Sequence, residues 1–132
     1  MSMKNILDGS YIPEGGDAPE PISQDISTNY GIFRFSKIGN ICEMVVPMFE
    51  YQIQSVVPPN IVVSLDETAT PFLPYASIRQ DILLLDNEAM SRGTIYWSGL
   101  GYDITFTLNE KGFSPNTTGG VATPQQVIYQ TA

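Results

Sequence analysis

Residues 102–108 decide the fold class, because they alternate strictly between apolar and polar side chains. They read Tyr102-Asp103-Ile104-Thr105-Phe106-Thr107-Leu108. Successive side chains of a β-strand point to opposite faces, so the pattern predicts a half-buried strand with the aromatic, Ile and Leu side chains inward. Glycines before it, in Gly99-Leu100-Gly101, and after it, at Gly112, predict a turn at each end.

Strands of the same kind are predicted along the chain from Tyr30 onward. Phe33 and Phe35 alternate with polar neighbours in the first of them, and Gly39-Asn40 predicts a tight hairpin into the second. The predicted strands cover residues 31–37, 41–49, 52–57, 61–65, 78–85, 93–98, 102–108 and 126–130. Eight short strands without a long helix predict an all-β fold, an antiparallel β-sandwich of the jelly-roll-like kind, with a small barrel as the alternative.

The connections are predicted from polar and turn-forming residues. The apolar run Ile82-Leu83-Leu84-Leu85 predicts a strand end that is buried on both faces. Residues 86–92 are expected to form a connection that could hold one helical turn. The range 113–124 is expected to be a polar loop, because it is rich in Gly, Thr and Pro.

Residues 1–29 differ from the rest and are predicted to form an extended, Pro/Gly-rich, acidic arm, with the sandwich over 30–132. The arm carries five acidic residues against the single basic residue Lys4. Such a segment does not easily fold alone, so a disordered tail is the other interpretation. Apolar side chains that a solvated tail does not need favour the arm, and the anchors are predicted to be Tyr11, Ile12, Ile22 and Ile26. Deleting residues 1–28 is expected to leave a folded trimeric head.

Composition limits the classes of partner. The net charge is −8, with 14 Asp and Glu against 6 Lys and Arg. Nucleic acid and anionic membranes are therefore not expected as partners, because both are bound mainly through Lys and Arg. Charged residues are only 15% of the chain. A surface so poor in charge is weakly protected against self-association, which favours subunit contacts.

No catalytic, cofactor or metal site is predicted. The chain has no histidine, which removes the usual general base and metal ligand, and no phosphate-binding or calcium-loop motif is present. Glu43 and Glu50 are interpreted as solvated charges, and Asp66-Glu67 as a weak candidate for a cation. Cys42, the only cysteine, lies in an apolar run and is predicted to be a small buried side chain. An enzyme is therefore not expected.

Three aromatic residues surround the turn at 98–101. Tyr96, Trp97 and Tyr102 could form a receptor or subunit contact, since exposed aromatic side chains stack on sugars and anchor protein partners. The favoured interpretation puts Trp97 and Tyr102 in the core on adjacent strands, with Tyr96 at a subunit contact.

The order of these features resembles the distal head domains of bacteriophage and viral fibres. Gly31 to Ser36 followed by Lys37-Ile38-Gly39-Asn40 is similar to the "Tyr-x-Lys-x-Gly-x-x-Val" opening of such heads. Leu73-Pro74 follows about thirty residues later, and Gly93-Thr94-Ile95 resembles their late "Gly-x-Ile" strand. The resemblance implies a trimeric β-sandwich knob.

The predicted function is that of a virion surface protein of the short-fibre, head-fibre or capsid-decoration type. It would be made in the host cytoplasm without a signal peptide. The partners are expected to be two further copies of the chain, a capsid, portal or baseplate protein that holds the arm, and a host surface glycan. The alternative is a carbohydrate-binding, lectin-like module.

Overall fold

The computed structural model describes residues 20–53, 60–108 and 113–132, and these form an antiparallel β-sandwich. Alternating apolar residues produce the strands, as the sequence predicts. The strands are β1 (Ile22–Thr28), β2 (Gly31–Ile38), β3 (Ile41–Val46), β4 (Phe49–Gln52), β5 (Ile61–Ser64), β6 (Ile78–Asp86), β7 (Ala89–Trp97), β8 (Asp103–Thr107), β9 (Thr118–Val121) and β10 (Gln125–Gln130). A 3-10 helix, Glu67–Phe72, joins β5 to β6.

The strands divide into two sheets. The four-stranded sheet has the order β1-β2-β3-β10, and the six-stranded sheet has the order β4-β9-β6-β7-β8-β5. The two hairpins β1–β2 and β2–β3 build most of the smaller sheet, with Thr28 opposite Gly31 and Ile38 opposite Ile41 at the turns. The prediction of an all-β antiparallel sandwich is confirmed.

Aromatic side chains fill the space between the sheets. Phe35 of the smaller sheet stacks on Phe72 at 5.2 Å between ring centroids and approaches Trp97 of the larger sheet at 6.1 Å. Tyr129 meets Trp97 edge to face at 5.9 Å, and its hydroxyl donates a hydrogen bond to the Phe72 carbonyl oxygen at 2.6 Å. Burial of each of these side chains adds roughly 1.5–3 kcal/mol to the stability of the fold. The cluster therefore stabilises the packing of the 3-10 helix and both sheets against one another.

Side-chain amides join the two sheets along one side. The Gln125 amide of β10 accepts a hydrogen bond from Leu83 N–H at 3.0 Å and donates one to the Leu83 carbonyl oxygen at 2.5 Å. Gln80 Nε2 of β6 donates to the Gln126 carbonyl oxygen at 3.1 Å. The Gln125 amide thus makes the two backbone hydrogen bonds with Leu83 that a neighbouring strand would otherwise make. As a result, β10 lies against β6 and does not face open solvent on this side.

The predicted boundary at Tyr30 is wrong, because β1 lies within the range assigned to the arm. All seven residues of β1 pair with β2, and Ile26 of β1 is buried opposite Phe33. The sandwich therefore includes residues 22–28. Residues 1–19 of the predicted arm lie outside the described residues.

One predicted strand and one predicted connection also differ from the structure. The predicted strand over 41–49 ends at Val46, and Phe49 belongs to β4 in the other sheet. Residues 86–92 contain no helical turn but a hairpin, with positive φ at Asn87 (52°) and Glu88 (69°). The right-handed twist of the strands favours a turn of this kind, although its usual sequence contains glycine.

The range 113–124 is not only a loop, because it contains β9. Gly119 and Gly120 of β9 are buried between β4 and β6. A side chain at Gly120 would place its Cβ 2.2 Å from the Phe49 carbonyl oxygen, so the glycine permits the close approach of β4. In β6, Leu84 is buried but Leu83 is exposed, so the predicted burial of this run on both faces is wrong.

Candidate interaction surfaces

The solvent side of the four-stranded sheet carries an unusual number of apolar side chains. Phe33, Phe35, Cys42, Met44, Val127 and Tyr129 of β2, β3 and β10 face the core, so the residues between them face solvent. Four of those solvent-facing residues are isoleucines: Ile32 is 47% exposed, Ile38 55%, Ile41 53% and Ile128 64%. We call this side of the sheet the isoleucine face.

Two shallow grooves cross the isoleucine face. The first, of about 320 Å³, is lined by Ile38, Ile41 and Ile128 together with Pro21, Cys42 and the polar residues Ser23, Ser36 and Glu43. The second, of about 520 Å³, lies at the other end of the sheet beside Ile32. Its other lining residues are Gly31, Arg34, Val45, Pro47, Met48 and Pro124. Both grooves are open and mainly apolar, which suits a protein surface better than a small polar ligand.

Charges are few on this face. By the strand register, Asp25, Arg34 and Glu43 are its charged residues. Asp25 and Arg34 lie opposite each other on β1 and β2, and Arg34 Nε is 3.8 Å from Asp25 Oδ1. Because both side chains are well exposed, this pair adds little to stability. The charges of Asp25 and Arg34 offset each other, whereas Glu43 lies opposite Ser36 and Ile128.

The solvent side of the six-stranded sheet is different in character. It carries five charged side chains by register: Glu50, Arg79, Asp81, Arg92 and Asp103. Its exposed apolar residues, Val62, Leu83 and Met90, are spread over three strands. The Arg79 guanidinium lies 4.9 Å from the centroid of the Tyr96 ring, so this aromatic ring already has a cation stacked on it.

The three aromatic residues predicted to form a contact do not share a surface. Trp97 is fully buried, and its Nε1 donates a hydrogen bond to the Gly101 carbonyl oxygen at 2.8 Å. A receptor contact through Trp97 is therefore wrong, and the interpretation as a core residue is confirmed. Tyr102 is half-buried against the core, with its hydroxyl 2.9 Å from Thr70 Oγ1. Tyr96 alone is directed outward, beneath Arg79.

The structure describes two of the four predicted arm anchors. Ile26 is buried in the core of its own sandwich, so its assignment as an anchor to another protein is wrong. Ile22 is 50% exposed at the start of β1. Tyr11 and Ile12 lie outside the described residues.

Polar side chains within the described residues stabilise turns. Asp66 precedes the 3-10 helix and accepts a hydrogen bond from Thr68 N–H at 2.9 Å and another from the Thr68 hydroxyl. These two hydrogen bonds hold the pKa of the Asp66 carboxyl below its usual value. Glu43 and Glu50 lie on different sheets. In residues 20–53, 60–108 and 113–132, no three His, Cys, Asp or Glu side chains cluster as metal ligands would.

The Cys42 side chain is buried, as predicted, on the core side of β3. Burial raises the pKa of the Cys42 thiol, and a hydrogen bond with Tyr129 partly opposes that effect. The pKa of Tyr129 is raised as well, chiefly by burial. Both groups are therefore neutral in the folded protein at ordinary pH and act as packing residues.

The sheet edges differ in how well they are protected. β4 and β5 are edge strands of only four residues each, and β10 lies against β6 through Gln125. β1 is longer, with seven residues, and contains neither Lys nor Pro, the residues that usually block edge pairing. No other strand of the described chain pairs with its outer side. The backbone groups on that side can accept an additional strand.

The isoleucine face and the β1 edge were not singled out in the sequence. A signal was present, since Ile32, Ile38 and Ile128 occupy the polar phase of strands whose other phase is plainly the core. Apolar residues grouped at solvent-phase positions of one sheet are candidates for a contact surface.

Family models and curated proteins give no further guide to these surfaces. No family model matches the chain, and no curated protein matches it. None of the helices in the described part of the chain is long and apolar enough to cross a membrane.

Proposed function

We propose that this chain is a structural protein of a virus particle surface, of the short-fibre, head-fibre or capsid-decoration type, that works by assembly and not by catalysis. In this proposal the sandwich forms a homotrimer and is exposed for host attachment or particle stabilisation. Residues 1–19 attach it to a capsid, portal or baseplate protein.

The observation that carries this proposal is the isoleucine face. Four half-exposed isoleucines lie on the solvent side of one four-stranded sheet, and grouped apolar side chains of this kind are candidates for burial in an assembly. Burial of that surface on assembly would stabilise the complex by roughly 25 cal/mol per Å² of apolar area removed from water. A rigid sandwich with a complete aromatic core can present the face without rearrangement.

The position of β1 supports attachment through the N-terminal residues. Residues 1–19 precede Glu20 in the chain, and β1, an edge strand, begins two residues later at Ile22. A partner that holds this segment would therefore also reach the backbone groups on the outer side of β1. Strand addition of that kind supplies affinity through the main chain and tolerates a polar, low-charge surface.

Two measurements test the proposal. Light scattering of the purified full chain at micromolar concentration is expected to give the mass of a trimer, and a monomer would contradict the assembly role. Immunogold electron microscopy with antibodies against the chain is expected to label the surface of virus particles from the organism that encodes it. Label confined to the soluble fraction would contradict the virion assignment even if the chain is oligomeric.

A further inference from the structure

We infer that the groove lined by Ile38, Ile41, Glu43 and Ile128, called here the Glu43 groove, binds an arginine side chain of the partner protein that holds residues 1–19. The inference rests on the proposed attachment to another protein and names the side chain that this partner contributes. The aliphatic part of the arginine lies against the isoleucines, and its guanidinium binds the Glu43 carboxylate.

The Glu43 groove combines one carboxylate with hydroxyl groups and aliphatic side chains. Two rows of solvent-facing residues cross the sheet there. The first row, in strand order, consists of Ser23, Ser36, Glu43 and Ile128. The second row, two residues nearer the end of the sheet, contains Ile38 opposite Ile41. Residues of both rows line the groove, so a polar strip and an apolar strip lie side by side in it.

Glu43 is the one charged residue that lines the groove. Within the described part of the chain, the one ion pair closer than 4 Å joins Arg34 to Asp25, so the face carries a net charge of −1 that is located at Glu43. The Glu43 side chain is half-buried. Water therefore screens a charge at this position less than it screens one on an open surface, and a cation from outside the chain would be attracted to it.

Arginine has the chemistry that matches both strips. Its long stem packs on apolar surface while its charged end stays with polar groups, and its planar guanidinium can donate two parallel hydrogen bonds to a carboxylate. The remaining N–H groups need acceptors. Ser23 Oγ and Ser36 Oγ are 3.5 Å apart, at the limit of a hydrogen bond, and each hydroxyl keeps lone pairs that can accept from the guanidinium.

Another protein is a better source of this arginine than a second copy of the chain. Three of the four basic residues in 20–53, 60–108 and 113–132 already have partners: Arg34 has a carboxylate, Lys37 a carbonyl oxygen and Arg79 a tyrosine ring. The chain carries a net charge of −8, which favours a basic partner. Residues 1–19 continue from Glu20, next to Pro21 of the groove lining, so a protein that holds them lies beside the groove.

NMR titration of the isotope-labelled full chain tests the inference with small probes. The probe is N-acetyl-arginine methylamide, and the amide signals of Ile41, Glu43 and Ile128 report on the groove. N-acetyl-citrulline methylamide has nearly the same shape without the charge, and N-acetyl-norleucine methylamide has the aliphatic part alone. We expect the arginine probe to shift these signals and to bind about tenfold more tightly than either control, because it alone forms a charge-assisted pair.

Two matched pairs of variants identify the residues responsible. Glu43→Gln should weaken binding of the arginine probe about tenfold, whereas Glu88→Gln, which removes a charge from the exposed β6–β7 turn, should leave it unchanged. Ile41→Ser should weaken binding by removing contact with the stem, and Met90→Ser, at 56% exposure against 53%, should not. Raising the ionic strength from about 0.01 M to about 1 M should weaken binding of the arginine probe only.

The outcomes separate this inference from the proposed function. Equal affinities of the arginine and citrulline probes, or unchanged affinity in Glu43→Gln, would overturn the inference and leave an assembly role in place. Equal binding of the norleucine probe would also overturn it, because the groove would then be a purely apolar contact. Absence of the chain from virus particles would remove the proposed function, whereas selective binding of arginine at Glu43 would still be measured.

Discussion

Removing β1 should destabilise the sandwich, whereas removing the residues before it should not. Two truncations separate these effects: one deletes residues 1–19 and the other deletes residues 1–28. The shorter deletion leaves β1 intact. The longer one removes the strand that pairs along the whole of β2 and takes Ile26 out of the core.

The magnitude follows from Ile26. Its side chain is only 2% exposed and lies opposite Phe33, which has no exposed surface. Cutting a buried Ile back to Ala typically costs about 2–5 kcal/mol, because burial is lost and a cavity remains. The longer truncation should cost at least this much, since it also uncovers Phe33. Against a usual free energy of unfolding of about 5–15 kcal/mol, the loss is large.

Urea unfolding followed by tryptophan fluorescence measures the effect, since Trp97 is buried in the core. With a slope of about 2 kcal/mol per molar urea, a loss of about 2–5 kcal/mol lowers the midpoint by about 1–2.5 M. Ile26→Ala in the full chain should reproduce most of this shift, and deletion of residues 1–19 should produce almost none. Equal midpoints for the two truncations would refute the assignment of β1 to the fold.

Three further predictions concern single residues. Gly93→Ala should lower the melting temperature by roughly 4–12 °C, for a cost of about 1–3 kcal/mol, because its Cβ would lie 2.2 Å from Leu84 Cδ1 and 2.7 Å from the Thr107 carbonyl oxygen. The matched Gly101→Ala, which meets nothing within 4 Å, should change it little, and equal shifts would contradict the packing at Gly93. Burial raises the pKa of the Cys42 thiol, so a disulfide reagent at pH 8 should react with it only after unfolding in guanidinium, and rapid labelling of the native protein would contradict this. The folded-state pKa of Asp66 is lowered, so its contribution to stability is present above its usual value of 3.8 and is lost as the pH falls through the folded value. The difference in urea midpoint between wild type and Asp66→Ala should therefore be smaller at pH 3 than at pH 6, and a constant difference would argue against the Thr68 hydrogen bonds.

Strand positions could be predicted where one phase of the alternation is clearly apolar. Phe33 and Phe35 identify β2, and Ile104 and Phe106 identify β8, each with the correct residues inward. β9 could not be predicted in this way, because Gly119 and Gly120 have no side chains to show a pattern. Their presence in a strand follows from the close approach of β4, which is a contact between distant parts of the chain.

The interaction surfaces were less predictable than the strands. The sequence left two interpretations of Trp97 open, a surface contact and the favoured core position, and its packing between Phe35 and Tyr129 confirms the core position. The isoleucines of the outer face come from three strands, and their proximity depends on the register of β2, β3 and β10. A single strand with one exposed isoleucine is ordinary, so only the assembled sheet reveals a patch.

The sequence by itself determined that this protein is an antiparallel β-sandwich, because the period of two in side-chain polarity is a local property that each strand carries alone. It also determined the tight Gly39-Asn40 turn and the burial of Cys42. Only the tertiary structure decided that Ile22–Thr28 is a strand of the fold, that Trp97 is core, and that four isoleucines share one exposed face. These depend on which strands become neighbours, and strand pairing is set by contacts between residues far apart in the chain.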